Sequence, residues 1–114
     1  DDAAELMAPA SPLISVVSTC SGDMTNDPQL CALTLAQQCQ SQLDTENARG
    51  HWMTLALTLP RPDQNWLEGF SGALHQFACN ASWQLIGGDT THGPACITLT
   101  VHGTSKASTT DPRI

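Results

Sequence analysis

The stretch Gly87-Gly88-Asp89-Thr90-Thr91-His92-Gly93-Pro94 gathers a carboxylate, two hydroxyls and an imidazole behind two glycines. Glycine lets a backbone come close to a ligand and adopt angles other residues avoid. A carboxylate among hydroxyl oxygens suits Mg²⁺, a hard cation that takes oxygen ligands and bridges to phosphates. Gly-Gly-Asp is also ordinary turn chemistry, and Asp can serve as a helix cap. Residue chemistry alone favours the turn over the metal anchor. A Walker loop would need GxxxxGK[ST] and a dinucleotide site GxGxxG, and the chain has neither. His92 offers a base or a phosphate contact, although a lone loop histidine is more often simply solvated.

The other chemistry-bearing residues are thiols. Five cysteines, at 20, 31, 39, 79 and 96, form no CxxC pair and are odd in number. They read as buried thiols in a reducing cytosol. A structural zinc site from these and the four histidines is the alternative, without ligand spacing to support it. Cys79 and Cys96 are possible nucleophiles for which the sequence suggests no activating base. Asn80-Ala81-Ser82 matches a glycosylation sequon, but the acidic start Asp1-Asp2-Ala3-Ala4-Glu5 lacks the basic segment of a signal peptide. The start also lacks Met, which points to a beginning inside a longer protein.

These residues need a scaffold, and hydrophobic periodicity outlines one. Leu13–Val17 is a β-branched run and predicts a buried strand. Ser21–Asn26 predicts a polar turn. Asp27-Pro28 is a helix start, with Asp as cap and Pro in the first turn. Leu30, Leu33, Leu35, Ala36 and Cys39 carry that helix to about Leu43, with Gln37, Gln38, Gln40 and Gln42 on its wet face. Asp44–Gly50 predicts a charged loop. In WMTLALTLP, Met53, Leu55, Leu57 and Leu59 alternate with polar or small residues, a strand period ended by Pro60 and Pro62. Asp63 can cap a second helix whose apolar side is Trp66, Leu67, Phe70, Leu74 and Phe77. Trp83–Ile86 predicts a short strand leading into the glycine loop. Ile97, Leu99 and Val101 alternate in a last strand. Ser105–Ile114 is polar and predicts a tail or linker.

The predicted order is β-α-β-α-β-β: an α+β fold (an α/β sandwich) whose mixed sheet is covered by helices on one face. The expected boundaries are one domain over 1–104 and a polar tail or linker over 105–114. A chain of 114 residues can bury a modest core. Its net charge of −7, with four Lys and Arg in all, leaves no basic surface for nucleic acid or anionic membranes. Its longest apolar runs fall far short of the ~20 residues that span a bilayer. A cytoplasmic location is the expectation.

Three segments carry a family resemblance: WMTLALTLP, QLIGGDTTHGP and ITLTVHG. With the Trp66–Phe70 helix between them, they resemble the N-terminal domain of the thiamine-monophosphate kinases. Those enzymes belong to the family that includes aminoimidazole ribonucleotide synthetase. The resemblance is strongest from Trp52 to Gly103 and looser from Asp1 to Gly50. It implies a mixed-sheet domain, ATP-dependent phosphorylation of thiamine monophosphate to thiamine diphosphate, and Mg²⁺ ions between aspartates and ATP phosphates. It also implies a homodimer paired through the sheets of these domains, with nucleotide near the subunit boundary. Residue by residue, Asp89 matches the metal-binding aspartate of the GGDTT loop and Gly88 its nucleotide-contacting neighbour. Asp2 matches a metal ligand of an early Gly-Asp-Asp segment. Ser18 and Thr19 match the metal-binding Ser-Thr of a Ser-Thr-Asp-Thr segment.

The departures are as specific. Cys20 stands where that segment has its Asp. The following segment, with its substrate-binding His, is shortened to Ser21–Asn26. Cys39-Gln40-Ser41-Gln42 replaces Asn-Leu-Ser-Asp, so Gln42 stands at a second metal aspartate. Glu46-Asn47 replaces Met-Gly, and His92 follows GGDTT in place of Arg. The resemblance stays within the N-terminal domain, and the family's C-terminal domain is expected to be missing. Gln offers Mg²⁺ no charge, and a Cys sulfur is too soft for it. The expectation is an impaired kinase, with a non-catalytic dimerising remnant of the family as the alternative.

Overall fold

Strand β1 (Leu13–Ser21) opens a computed structural model that describes residues 13–61 and 63–106. A 3-10 turn at Gly22–Thr25 leads to helix α1 (Pro28–Thr45). Strand β2 (Ala48–Leu59), helix α2 (Gln64–Ala81), strand β3 (Gln84–His92) and strand β4 (Cys96–Ser105) follow. The sheet order is β1-β4-β2-β3. β4 is antiparallel to both β1 and β2, while β2 and β3 run parallel. This is the predicted mixed sheet with two helices on one face. No helix among the described residues is long and apolar enough to cross a membrane.

Both helices start where their caps predict. Asp27 Oδ1 accepts from the Leu30 N–H at 3.1 Å, and Pro28 takes the first turn, where it sacrifices no bond. Asp63 Oδ1 accepts from the Asn65 and Trp66 N–H groups at 3.0 and 3.3 Å. α2 ends at Ser82, which takes a left-handed φ of 64° and lets the Trp83 N–H reach back to the Ala78 carbonyl at 2.9 Å.

α1 buries Cys31, Ala32, Leu35, Ala36, Cys39 and Leu43, a stripe at three- and four-residue steps. It lies against β1, β2 and β4, and α2 packs beside it. The small side of that helix pair is Gly69, where a Cβ would come within 3.1 Å of Pro28. β4 is the central strand of the buried face. Ile97, Leu99 and Val101 alternate inward without exposure, and Thr98, Thr100 and His102 face outward. The registers carry this alternation across the sheet. Val16, Ser18 and Cys20 of β1 and Met53, Leu55 and Leu57 of β2 share the helix-facing side. The other side is open and rich in threonine.

Several boundaries differ from the sequence expectation. β1 continues past Val17 to Ser21 because every residue to Ser21 finds a partner on β4. The charged loop at Asp44–Gly50 shrinks to a turn at Glu46-Asn47, since α1 runs on to Thr45 and β2 begins at Ala48. Asn47 supplies the left-handed φ of 52° that reverses the chain. Ser105 is the last residue of β4. Residues 107–114 and Pro62 lie outside the described residues.

Candidate functional site

The glycine motif is not a loop. Gly87 through His92 continue β3, paired in parallel with Thr54 through Leu59 of β2. The run of apolar residues stops at Ile86, but the hydrogen-bond ladder does not. β3 is an edge strand and all nine of its residues are exposed, so it carries no apolar period to reveal it. A bulge marks the point where sequence and ladder part: Met53 pairs with Leu85 and Thr54 with Gly87, leaving Ile86 extra. Neither Gly87 nor Gly88 has a positive φ. Gly88 is needed for closeness instead, because a Cβ there would come within 2.9 Å of the Leu55 carbonyl oxygen.

Asp89 pairs with Ala56 and shares the open face of the sheet with Gly87 and Thr91. Its neighbour Thr91 is tied to Thr58 by a 2.9 Å hydroxyl contact. The carboxylate therefore projects to solvent from a fixed edge strand, free to meet an incoming ligand. His92, at the strand end, pairs with Leu59 and stays exposed.

Ser18 and Thr19 lie on β1, at the opposite edge of the sheet. Two strands separate them from β3, a span of about 14 Å at ordinary strand spacing. They also point to opposite faces. Ser18 is 5% exposed and donates its hydroxyl to Gln38 Oε1 on α1. Thr19 is on the open face beside Thr98, with their hydroxyls 3.5 Å apart. A single metal ion cannot take both side chains together with Asp89. Asp2 lies outside the described residues.

Cys20 and Gln42, where the resemblance implies aspartates, are also engaged within the chain. Cys20 is 2% exposed and its sulfur is 3.0 Å from the sulfur of Cys31 on α1. Gln42 donates its amide to the Val17 carbonyl at 2.8 Å, satisfying an acceptor on the outer edge of β1. Among the described residues, no three His, Cys, Asp or Glu side chains come together as a metal site. The donor set of the described residues of one chain, a single carboxylate with no second at hand, does not fit the multi-aspartate Mg²⁺ centre that the resemblance implies.

The sheet's carboxyl end carries a concavity that the sequence did not announce. A cleft of about 440 Å³ opens between the 3-10 turn, the end of β2 and the start of α2, with Thr25, Asn26, Arg61, Asp63 and Trp66 among its walls. Ligand sites favour this end of parallel strands. Trp66 is fixed there by its indole N–H, which donates to the Thr25 carbonyl at 2.6 Å, and by stacking on Phe70 at 5.1 Å between ring centroids. A second cleft, of about 510 Å³, lies between α2 and the β2–β3 pair, with Met53, Phe70, Leu74, Cys79, Trp83 and Leu85 around it. Its walls are mostly apolar, with Ser71, His75 and Gln84 among them.

The thiols divide in a way composition does not show. Cys20, Cys31 and Cys39 are buried, as expected, but Cys79 is exposed and Cys96 half-buried on the open face. Burial pushes the Cys39 thiol up to about 11, so it stays protonated at neutral pH. Burial together with the adjoining Cys20 pushes Cys31 up to about 12. Cys79 also has an imidazole that was not anticipated: His75, one turn earlier, places Nε2 3.4 Å from its sulfur. The spacing of four on a helix was the available signal. Under native conditions, iodoacetamide is expected to label Cys79 first and Cys96 more slowly. Cys39 should react only when urea unfolds the chain, and Cys20 and Cys31 only later than Cys96, through opening of the first turn of α1. Peptide mass mapping over a time course checks the order, and early labelling of Cys39 would contradict it.

Comparison with known proteins places this geometry among relatives. Residues 1–105 match the family described as AIR synthase related protein, N-terminal domain. A thiamine-monophosphate kinase of Salmonella typhimurium is 51% identical over 63 residues, which are 55% of this chain and 19% of that protein. The chain thus corresponds to about a fifth of the length of the curated relatives it matches. Among solved structures, the thiamine-monophosphate kinase of Stenotrophomonas maltophilia superimposes with a TM-score of 0.78 at 28% identity, covering 84% of this chain and 32% of that one. A structure described as AaThiL complexed with AMPPCP and TMP gives 0.75 at 13% identity, covering 82% and 32%. At that identity the second likeness speaks for the fold.

Proposed function

The chain belongs to the family of AIR synthase related proteins through their N-terminal domain, and from that premise we propose that it is the N-terminal part of a thiamine-monophosphate kinase. The reaction is ATP- and Mg²⁺-dependent phosphorylation of thiamine monophosphate to thiamine diphosphate, and this chain by itself is impaired in it. The observation that supports the reading is the 51% identity to a curated kinase over more than half of the chain. Residues 1–104 are the domain and 105–114 a tail or linker. Asp89 and Gly88 face the nucleotide, with Asp89 as metal carboxylate. Asp2, Ser18 and Thr19 are further metal positions by resemblance alone, Ser18 and Thr19 not on one ion with Asp89 of the same chain, and the protein works as a cytoplasmic homodimer.

The impairment follows from electrostatics. Phosphoryl transfer is mostly positioning and neutralisation of charge on the transferred group. Asp89 is held ready by β3, but the positions that should supply partners hold Cys20 and Gln42, and both are engaged within the protein. The open, threonine-rich sheet face and the exposed edge strand β3 support pairing with a second copy, which could bring distant strands together.

One specific observation favours the second reading, a non-catalytic dimerising scaffold. Ser18, Cys20 and Gln42 all spend their polar atoms on contacts between β1 and α1. Three positions that the resemblance assigns to a metal site form a strand–helix clamp.

A coupled ATP assay with thiamine monophosphate and Mg²⁺ tests the impairment. Turnover is expected below about 10⁻³ s⁻¹, against roughly 1–100 s⁻¹ for kinases. Turnover in the kinase range would refute it. Calorimetric titration with Mg·ATP separates the two readings. Weak binding that is lost in Asp89→Ala supports a surviving nucleotide site, and an absence of binding by the parent chain leaves the scaffold. Sedimentation at high concentration checks the dimer.

A further inference from the structure

Of the five cysteines, Cys20 and Cys31 alone face each other. Cys39 points its sulfur to the Leu99 carbonyl oxygen at 3.7 Å, Cys79 lies beside His75, and Cys96 is on the open face of the sheet. Cys20 closes the buried side of β1, and Cys31 sits in the first turn of α1, where its N–H bonds the Asp27 carbonyl at 2.8 Å. Both are at most 2% exposed, and their sulfurs are 3.0 Å apart. That is closer than two unbonded sulfurs rest comfortably, and it joins two different elements.

We propose that Cys20 and Cys31 are an oxidative modification site, a dithiol that closes to a disulfide with a small-molecule disulfide as co-reactant. The inference is independent of the kinase reading, since it uses neither Asp89 nor a nucleotide. One thiolate attacks a sulfur of the co-reactant, forming a mixed disulfide and releasing one small thiol. The second cysteine attacks the protein sulfur of that mixed bond, forming Cys20–Cys31 and releasing the other. Two electrons pass from the protein thiols to the small disulfide, and the two protons end on the two released thiols. Access comes from opening of the first turn of α1, since helix ends are the least stable parts of a helix.

The bond would enclose the segment between Cys20 and Cys31, which holds the 3-10 turn and three of the residues lining the strand-end cleft: Gly22, Thr25 and Asn26. Oxidation would therefore fasten the floor of that cleft to both β1 and α1. Reduction would leave the turn held by the Thr25 and Asn26 bonds and by the Trp66 indole on the Thr25 carbonyl.

The test uses the whole chain in buffers of graded reduced and oxidised glutathione. Samples enter both from the folded state and by refolding from urea, so that buried thiols reach equilibrium from either side. Intact mass and peptide mapping are expected to show loss of two hydrogens and a Cys20–Cys31 link, with a melting temperature about 10 °C higher in the oxidised form. A variant with Cys39, Cys79 and Cys96 changed to Ala should form the same link. C31A should abolish it and the thermal shift together. The proposal is overturned if both routes leave the pair reduced in fully oxidising buffer. It is equally overturned if Cys20 pairs with Cys39, Cys79 or Cys96.

Discussion

Gly103→Ala is expected to destabilise the chain by about 4 kcal/mol or more, at the extreme of single substitutions. Gly103 faces Gly50 across β2 and β4, at the place where the register shifts between Gly50 and Trp52. A Cβ at Gly103 would fall inside the shell of the Arg49 carbonyl oxygen and lie 3.0 Å from Gly50 Cα. Those neighbours are backbone and cannot rotate away, so relief would require the two central strands to separate. The glycine opposite is equally confined: a Cβ at Gly50 would meet the Trp83 indole nitrogen at 2.6 Å and Val101 at 2.9 Å. For a domain of this size the loss corresponds to a fall of roughly 15–30 °C in melting temperature. Gly72→Ala is the control. It sits on α2 with nothing within 4 Å of its Cβ direction, and a helical Gly→Ala change there should add about 0.5–1 kcal/mol. Urea unfolding of the two variants beside the parent reads both effects. A Gly103→Ala midpoint near that of the parent would show that β2 and β4 are not so closely held.

What the sequence disclosed depended on whether burial left a pattern. β4 could be read at once because Ile97, Leu99 and Val101 are buried against α1 while their neighbours are not. The helices could be read because Asp27 and Asp63 do the local chemistry that starts them. Of β3 only the opening as far as Ile86 could be read, since beyond it an edge strand with both faces wet has no apolar alternation and its glycines resemble a turn. Its identity as a strand resides in the β2 partner, a long-range fact. The candidate site divides along the same line. Asp89 was visible as a residue type in a distinctive motif. That Ser18 and Thr19 point to opposite faces, on the far edge from Asp89, follows from strand order and register. The Gln38–Ser18 and Gln42–Val17 contacts depend on how α1 lies on β1, which a wet glutamine face does not forecast. His75 and Cys79 were four apart on a predicted helix and needed only that spacing to be paired.

Placing at position 20 the aspartate that the resemblance implies provides the sharper test of the proposed impairment. Cys20→Asp supplies the carboxylate that the family pattern calls for. If the strand still presented this position to a metal, the change should cost little and add Mg²⁺ dependence. The structure predicts the opposite. The side chain points into the core, 2% exposed, beside Cys31 and on the same face as Ile97, its partner on β4. An unpaired carboxylate there loses its hydration without a cation or donor to replace it, at a cost of about 3–5 kcal/mol. The sign of the pH effect follows. Burial raises the folded-state pKa of such a carboxyl above its unfolded value, so the penalty is smallest in acid and grows as pH rises through the folded value. Cys20→Asp should therefore melt far below the parent at neutral pH and recover part of the difference near pH 4. Cys20→Ser, similar in size and uncharged, should lose much less and show no such pH dependence. Gln42→Asp should add little harm of its own, because position 42 is exposed on α1 and loses only the bond to Val17. If instead the Cys20→Asp, Gln42→Asp double variant folds normally and binds Mg²⁺ tightly, the inward clamp between β1 and α1 is not what holds these positions. A double variant that unfolds at neutral pH, with the loss traced to position 20, means that position 20 belongs to the core and not to a metal site.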